Sequence, residues 1–106
     1  VIKLTDPVFN RVPQTFSYKF MDQSGLPIDV STYSNFKLLV KARNVPGVQE
    51  VPATALDQYT VQSQSWTPAR PNYYFAQFTA TNVNGDAIYG EVIGFTVAEN
   101  VNDMEP

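Results

Sequence analysis

Seven prolines, at positions 7, 13, 27, 46, 52, 68 and 71, punctuate the first two thirds of the chain and leave no window there for a long uninterrupted helix. The segments between them alternate instead. In Thr15 to Phe20 the aromatics Phe16, Tyr18 and Phe20 fall on one face, and Thr15, Ser17 and Lys19 on the other. That period of two is the mark of a half-buried strand. Asn35 to Arg43 repeats it, with Phe36, Leu38, Val40 and Ala42 facing one way and Lys37, Lys41 and Arg43 the other. Leu39 is the apolar exception on that outer face.

A third strand is predicted from Tyr73 to Thr81, with Tyr74, Ala76, Phe78 and Ala80 inward. It leads into Asn82-Val83-Asn84-Gly85-Asp86, and Asn-Gly is a strong hairpin signal because both residues tolerate positive φ. A fourth strand runs from Ile88 to Val97, with Ile93, Phe95 and Val97 inward. Gly90 and Gly94 inside it indicate a bulge or a close backbone approach. Weaker strands are expected at Ile2–Thr5 and Tyr59–Ser63, and Gln64–Asn72 reads as a rigid proline loop. Six or seven short strands with turn signals and no helical period predict an all-β, immunoglobulin-like antiparallel sandwich of about seven strands. Half-buried alternation argues against a parallel sheet, whose strands read as continuous apolar runs. Residues 1–99 are expected to form one domain, with the polar stretch 100–106 as a tail or linker stub.

Missing residue types narrow the chemistry. The chain has no cysteine and no histidine, so disulfides, imidazole- or thiolate-based metal sites and His-dependent nucleophilic catalysis are all excluded. With 16% charged residues and a net charge of −3, it lacks the basic footprint of a nucleic-acid binder. No apolar run approaches the roughly 20 residues of a membrane helix, so membrane insertion is not expected. The 13% aromatic content is what remains to carry recognition.

Two oxygen-rich segments invite a calcium reading. Asp22-Gln23-Ser24-Gly25-Leu26-Pro27-Ile28-Asp29 and Asn82 to Asp86 both carry hard ligands, but neither has EF-hand spacing or a terminal Glu. Both are better explained as turns. The acidic residues Asp6, Asp22, Asp29, Asp57, Asp86 and Glu99 lie at turns and strand ends, the pattern of a solvated surface and not of a glycosidase pair. No cofactor, metal or catalytic residue is assigned. Lys37, Lys41 and Arg43 on one strand face read as edge protection before they read as an anion site. The most suggestive cluster is Trp66 with Tyr59, Tyr73, Tyr74 and Arg70. Either Trp66 caps the sandwich, or it belongs to an interface or a sugar platform. Alternation puts Tyr73 and Tyr74 on opposite faces, so one of them is exposed or covered by another chain.

The order of segments resembles the immunoglobulin-like domains of tailed-phage virion proteins, nearest the N-terminal domain of phage baseplate upper proteins. The resemblance rests on Thr15–Phe20 followed by Asp22-Gln23-Ser24-Gly25-Leu26-Pro27-Ile28-Asp29-Val30-Ser31, then on a strand like Phe36–Ala42. It continues in the aromatic strand Tyr73 to Phe78, the Gly-Asp turn, and Gly94-Phe95-Thr96-Val97. The chain departs from that pattern at Val30, where the family favours Leu, and in the length of the 64–72 loop.

The resemblance implies a non-enzymatic structural virion protein, of the baseplate or tail, the neck or the head surface. Such a protein assembles in the host cytoplasm with other virion proteins and as a homo-oligomer. Phe9, Trp66, Arg70 and Tyr73 are the interface candidates, and strand Val1–Thr5 is a candidate to pair with another chain's sheet edge. The alternative is a carbohydrate-binding or adhesion module directed at a host-surface glycan. That reading expects an exposed, coplanar aromatic pair.

Overall fold

The alternating segments become strands with the faces that the alternation predicts. A computed structural model describes residues 2–3 and 8–99, in which nine strands form and no helix occurs. They are β1 (Ile2–Lys3), β2 (Val8–Phe9), β3 (Ser17–Lys19), β4 (Ser34–Ala42), β5 (Gln49–Ala55), β6 (Thr60–Ser63), β7 (Asn72–Thr81), β8 (Ala87–Tyr89) and β9 (Ile93–Ala98). On β7 the four inward residues Tyr74, Ala76, Phe78 and Ala80 are buried, alternating with half-buried Tyr73, Phe75, Gln77 and Thr79. On β4, Leu38 and Val40 are buried and Phe36 and Ala42 pack against the core, as their spacing requires. The expected tail, 100–106, lies outside the described residues.

The fold is all-β, but its strands hydrogen-bond in one continuous path, β1-β9-β7-β4-β5-β6-β3, with β2 added beside β9 and β8 beside β7. The sheet curls into a half-barrel and is not divided into two clean layers. Strand β5 is the reason. Its first half pairs with β4 (Leu38 opposite Val51) and its second half with β6 (Ala55 opposite Val61), so the pairing is handed round the corner. Pro52 sits at that handover, where a residue without an N–H is tolerated. The sequence gives no sign of this strand because Pro46 just before it and Pro52 within it look like breaks.

The sheet is also mixed where an antiparallel one was expected. Strands β1 and β2 both run parallel to β9, with Ile2 opposite Ile93 and Val8 opposite Val97. The N-terminal segment proposed to reach another chain's edge therefore has Ile2 and Lys3 engaged on its own sheet; Val1, Leu4 and Thr5 lie outside the described residues.

Curling brings β3 over β7 and β9, and aromatic rings fill the space. Phe16 lies 5.3 Å from Phe95, and Tyr18 stacks on Phe78 at 5.7 Å with planes 9° apart. Leu38, Phe78 and Val61 are wholly buried at the centre. Burial of such side chains stabilises the fold by about 1.5–3 kcal/mol each. Where the core meets polar atoms they are satisfied: the buried Ser63 hydroxyl accepts the Phe16 N–H at 3.0 Å.

The single strand expected from Ile88 to Val97 divides in two. Ala80 pairs with Ile88 but Ala76 with Ile93, so one extra residue is inserted between β8 and β9. That bulge lies at Gly90–Val92, and both glycines of the segment are close-approach positions. A Cβ on Gly90 would come within 2.6 Å of the Tyr18 ring, and one on Gly94 would collide with the Tyr73 hydroxyl. The Tyr18 ring is pinned over Gly90 because its hydroxyl accepts the Glu91 N–H at 2.8 Å.

Candidate functional site

Trp66, the strongest aromatic candidate from sequence, belongs to the core. It is 5% exposed, packs edge-on to Tyr74 at 5.3 Å and Phe95 at 5.9 Å, and donates its indole N–H to Gln49 Oε1 at 3.1 Å. Its backbone exchanges both hydrogen bonds with Gln14, which clips the 64–72 loop onto the preceding N-terminal segment. Of the alternatives open for Trp66, this enclosure is that of a cap on the core. The periodicity around it is broken by Pro68 and Pro71, so its inward direction had no signal in the sequence.

The other three candidates stay at or near the surface. Phe9 is 38% exposed beside the β9 end, Arg70 is exposed in the 64–72 loop, and Tyr73 is half-buried on the outer face of β7. Tyr74 is the inward member of the Tyr73–Tyr74 pair, and its hydroxyl donates to the Arg70 carbonyl at 2.9 Å. Tyr73 lies edge-on to Phe75 at 5.2 Å, with its hydroxyl end over Gly94. Phe9, Arg70 and Tyr73 do not line the hollows described below.

The segments with calcium-like composition are closed turns with a shared design. Asp22 Oδ1 accepts the N–H groups of Ser24 and Leu26, and Asn82 Oδ1 accepts those of Asn84 and Asp86. In each turn the fourth residue is a glycine at positive φ, 80° for Gly25 and 87° for Gly85. Asn84, expected to share the positive φ, does not take it. Among the described residues no three carboxylates gather as a metal-binding group.

Two further carboxylates fasten the same end. Asp29 accepts from the Ser31 N–H at 2.9 Å and from Gln58 Nε2 at 2.7 Å, and Asp57 accepts from the Tyr59 and Thr60 N–H groups, each at 2.8 Å. These hydrogen bonds favour the charged form, and both carboxyls are held below their ordinary range: Asp29 by Ser31 first, Asp57 by the Tyr59 N–H first.

The outer face of β4 and β7 carries an apolar hollow of ≈ 210 Å³ between Leu39, Val48, Phe75 and Val92. The cations expected to guard this face are partly engaged. Lys37 Nζ meets Glu50 at 3.5 Å, and Lys41 Nζ donates to the Val45 carbonyl at 2.6 Å.

The large exposed hydrophobics gather mostly at the two ends of the strands. Strand register puts loops 20–33, 56–59 and 82–86 at one end, since the start of β4 lies beside the end of β7 (Ser34 opposite Thr81) and Lys19 beside Thr60. That end exposes Met21, Leu26, Leu56, Tyr59 and Val83, the last at 83%. Loops 10–15, 43–48 and 64–71 lie at the other end, where Ala42 is opposite Tyr74 and the Arg11 N–H donates to the Pro68 carbonyl at 2.7 Å. It exposes Phe9, beside Ala98, and Val45 and Val48, which line a hollow of ≈ 290 Å³ floored by Val40 and Tyr74. Tyr89, on the β8 flank, completes the nine large exposed hydrophobics among the described residues.

Charge divides along the same axis. The first set of loops holds Asp22, Asp29, Asp57 and Asp86, all exposed, with no Lys or Arg among them; Lys19, at the end of β3, helps keep Asp57 ionised. The opposite end holds Arg11, Arg43 and Arg70, all exposed, and Glu99 is its one described carboxylate.

Comparison with protein-family models, with curated proteins and with solved structures yields no match to this chain.

Proposed function

We propose that the chain is a non-enzymatic structural subunit of a tailed-bacteriophage particle, in the baseplate or tail, the neck or the head surface, acting in assembly or host attachment. The observation that carries this reading is the collection of exposed apolar side chains at both strand ends, from Val83 and Leu26 to Val48 and Phe9. Side chains of this kind, grouped and rimmed by charge, serve contact with other chains. The connectivity supports the immunoglobulin-like part of the reading. Strands β3-β6-β5 and β4-β7-β9 stand in the orders B-E-D and C-F-G of an immunoglobulin sandwich.

A carbohydrate-binding module is less well served by the same geometry. The ring pairs within 15° of coplanar are Tyr18–Phe78 and Tyr74–Phe95, and Phe78, Tyr74 and Phe95 are buried. Mass spectrometry of purified particles from a host that produces this chain tests the virion assignment. Recovery of the chain in a fixed ratio to known head and tail proteins is the expected result. Its consistent absence from intact particles would remove the assignment.

A further inference from the structure

We infer that copies of this chain dock head to tail, the acidic loop end of one against the basic loop end of the next. This deepens the reading of the chain as an assembly subunit by naming its partner, and rests on it.

A chain of net charge −3 has no need to separate its charges, yet among the described residues the fold places four aspartates and no cation in the loops of one end, and Arg43 and Arg70, with Arg11 and the carboxylate Glu99, at the other. The separation is made by topology, because the residues concerned lie far apart in sequence and are brought together only by strand register. Asp22, Asp57 and Asp86 come from three different loops, as do Arg11, Arg43 and Arg70.

Both ends also carry apolar surface. The acidic end presents projecting apolar side chains, with Val83 at a turn tip (83% exposed) and Leu26 (62%) in the matching turn. The basic end presents the ≈ 290 Å³ hollow framed by Val45, Pro46 and Val48. Apolar contact would supply affinity there, and the surrounding charges would set direction and reject the like-with-like arrangement. Such a contact joins two different patches of the same molecule, so it is heterologous. It closes into a ring or continues as a stack, according to the rotation between copies. The outer β4–β7 face lacks this complementarity: its charges are the mixed set Lys37, Lys41 and Glu50, two of them already paired with each other.

Sedimentation velocity on the full chain tests the inference. Self-association is expected at about 20 mM salt and is expected to weaken by about tenfold or more at about 500 mM, where screening acts within a few ångströms. The pair Arg43→Glu and Arg70→Glu should abolish it, and so should the pair Gln23→Lys and Asp86→Lys, which spares the carboxylates that hold the loops together. Mixing the two variants should restore association, because each retains one end that the other can accept. Thermal melts of both variants verify that they remain folded. A chain that stays monomeric at low salt, association indifferent to salt, or two folded variants that fail to rescue each other would overturn the inference. None of those results would bear on recovery of the chain from particles, so the assembly reading stands or falls separately.

Discussion

The two ends of this molecule are built by different physics. At the basic end the loops are held from beneath by the core: Trp66 is enclosed by Phe16, Tyr74 and Phe95, Pro68 is wholly buried, and Gln49 receives the indole N–H. At the acidic end Phe20 and Val30 are buried as well, but the turns around them and the loops 56–59 and 82–86 are fastened by side-chain oxygens of Asp22, Asp29, Asp57 and Asn82 accepting backbone N–H groups. A loop fastened by packing depends on global stability, whereas a loop fastened by its own Asx and carboxylate bonds can loosen locally. The acidic end is therefore the one that solution conditions should reach first.

The largest test of that contrast is Trp66→Ala. Removing an enclosed indole should cost about 3–5 kcal/mol and unfold the molecule as a whole, read as a large drop in the urea midpoint. Loss confined to the 64–72 loop would break the comparison. Gly85→Ala comes next: a Cβ meets no neighbour there, but φ of 87° is strained for any L side chain. About 1 kcal/mol is expected, without loss of the core. Gly25→Ala should match it, because the two turns share one bonding scheme.

Acid supplies a subtler test. Asp29 and Asp57 have folded-state pKa values lowered from about 3.8, so their contribution to stability is fully present above that value and is lost as pH falls through the folded values. Melting temperature should hold steady down to about pH 4 and fall below it. The double variant Asp29→Asn and Asp57→Asn should show a shallower acid limb, since Asn keeps an accepting oxygen without the titration. An unchanged acid limb would remove these two carboxylates from the account. The smallest expected effect is on Arg43→Glu, which should move stability by no more than about 0.5 kcal/mol while disrupting association.

Much of the fold was legible in the chain because it is written locally. Alternation placed the inner faces of β3, β4, β7 and β9, and Gly25, Gly85, Gly90 and Gly94 marked turns or close approaches that the structure contains. What was hidden depends on partners distant in sequence. Strand β5 was masked by Pro52, whose missing N–H matters little where pairing changes from β4 to β6. The parallel placement of β1 and β2 on β9 leaves no local pattern. Trp66 stayed undecided for a related reason: in a loop without periodicity, nothing says whether a large aromatic turns in or out. The split of acidic and basic ends is the clearest case, since dispersed Asp and Arg residues looked like ordinary surface until register gathered them.

The five glycines offer a direct measurement of whether the ends are what this protein uses. Gly25 and Gly85 report on the acidic end, Gly47 on the basic end, and Gly90 and Gly94 on the middle of the sheet. In amide NMR spectra recorded at low salt with rising protein concentration, Gly25, Gly47 and Gly85 should shift together and return when salt is added, while Gly90 and Gly94 hold still. Shifts centred on Gly90 and Gly94, or confined to one end, would contradict the head-to-tail arrangement.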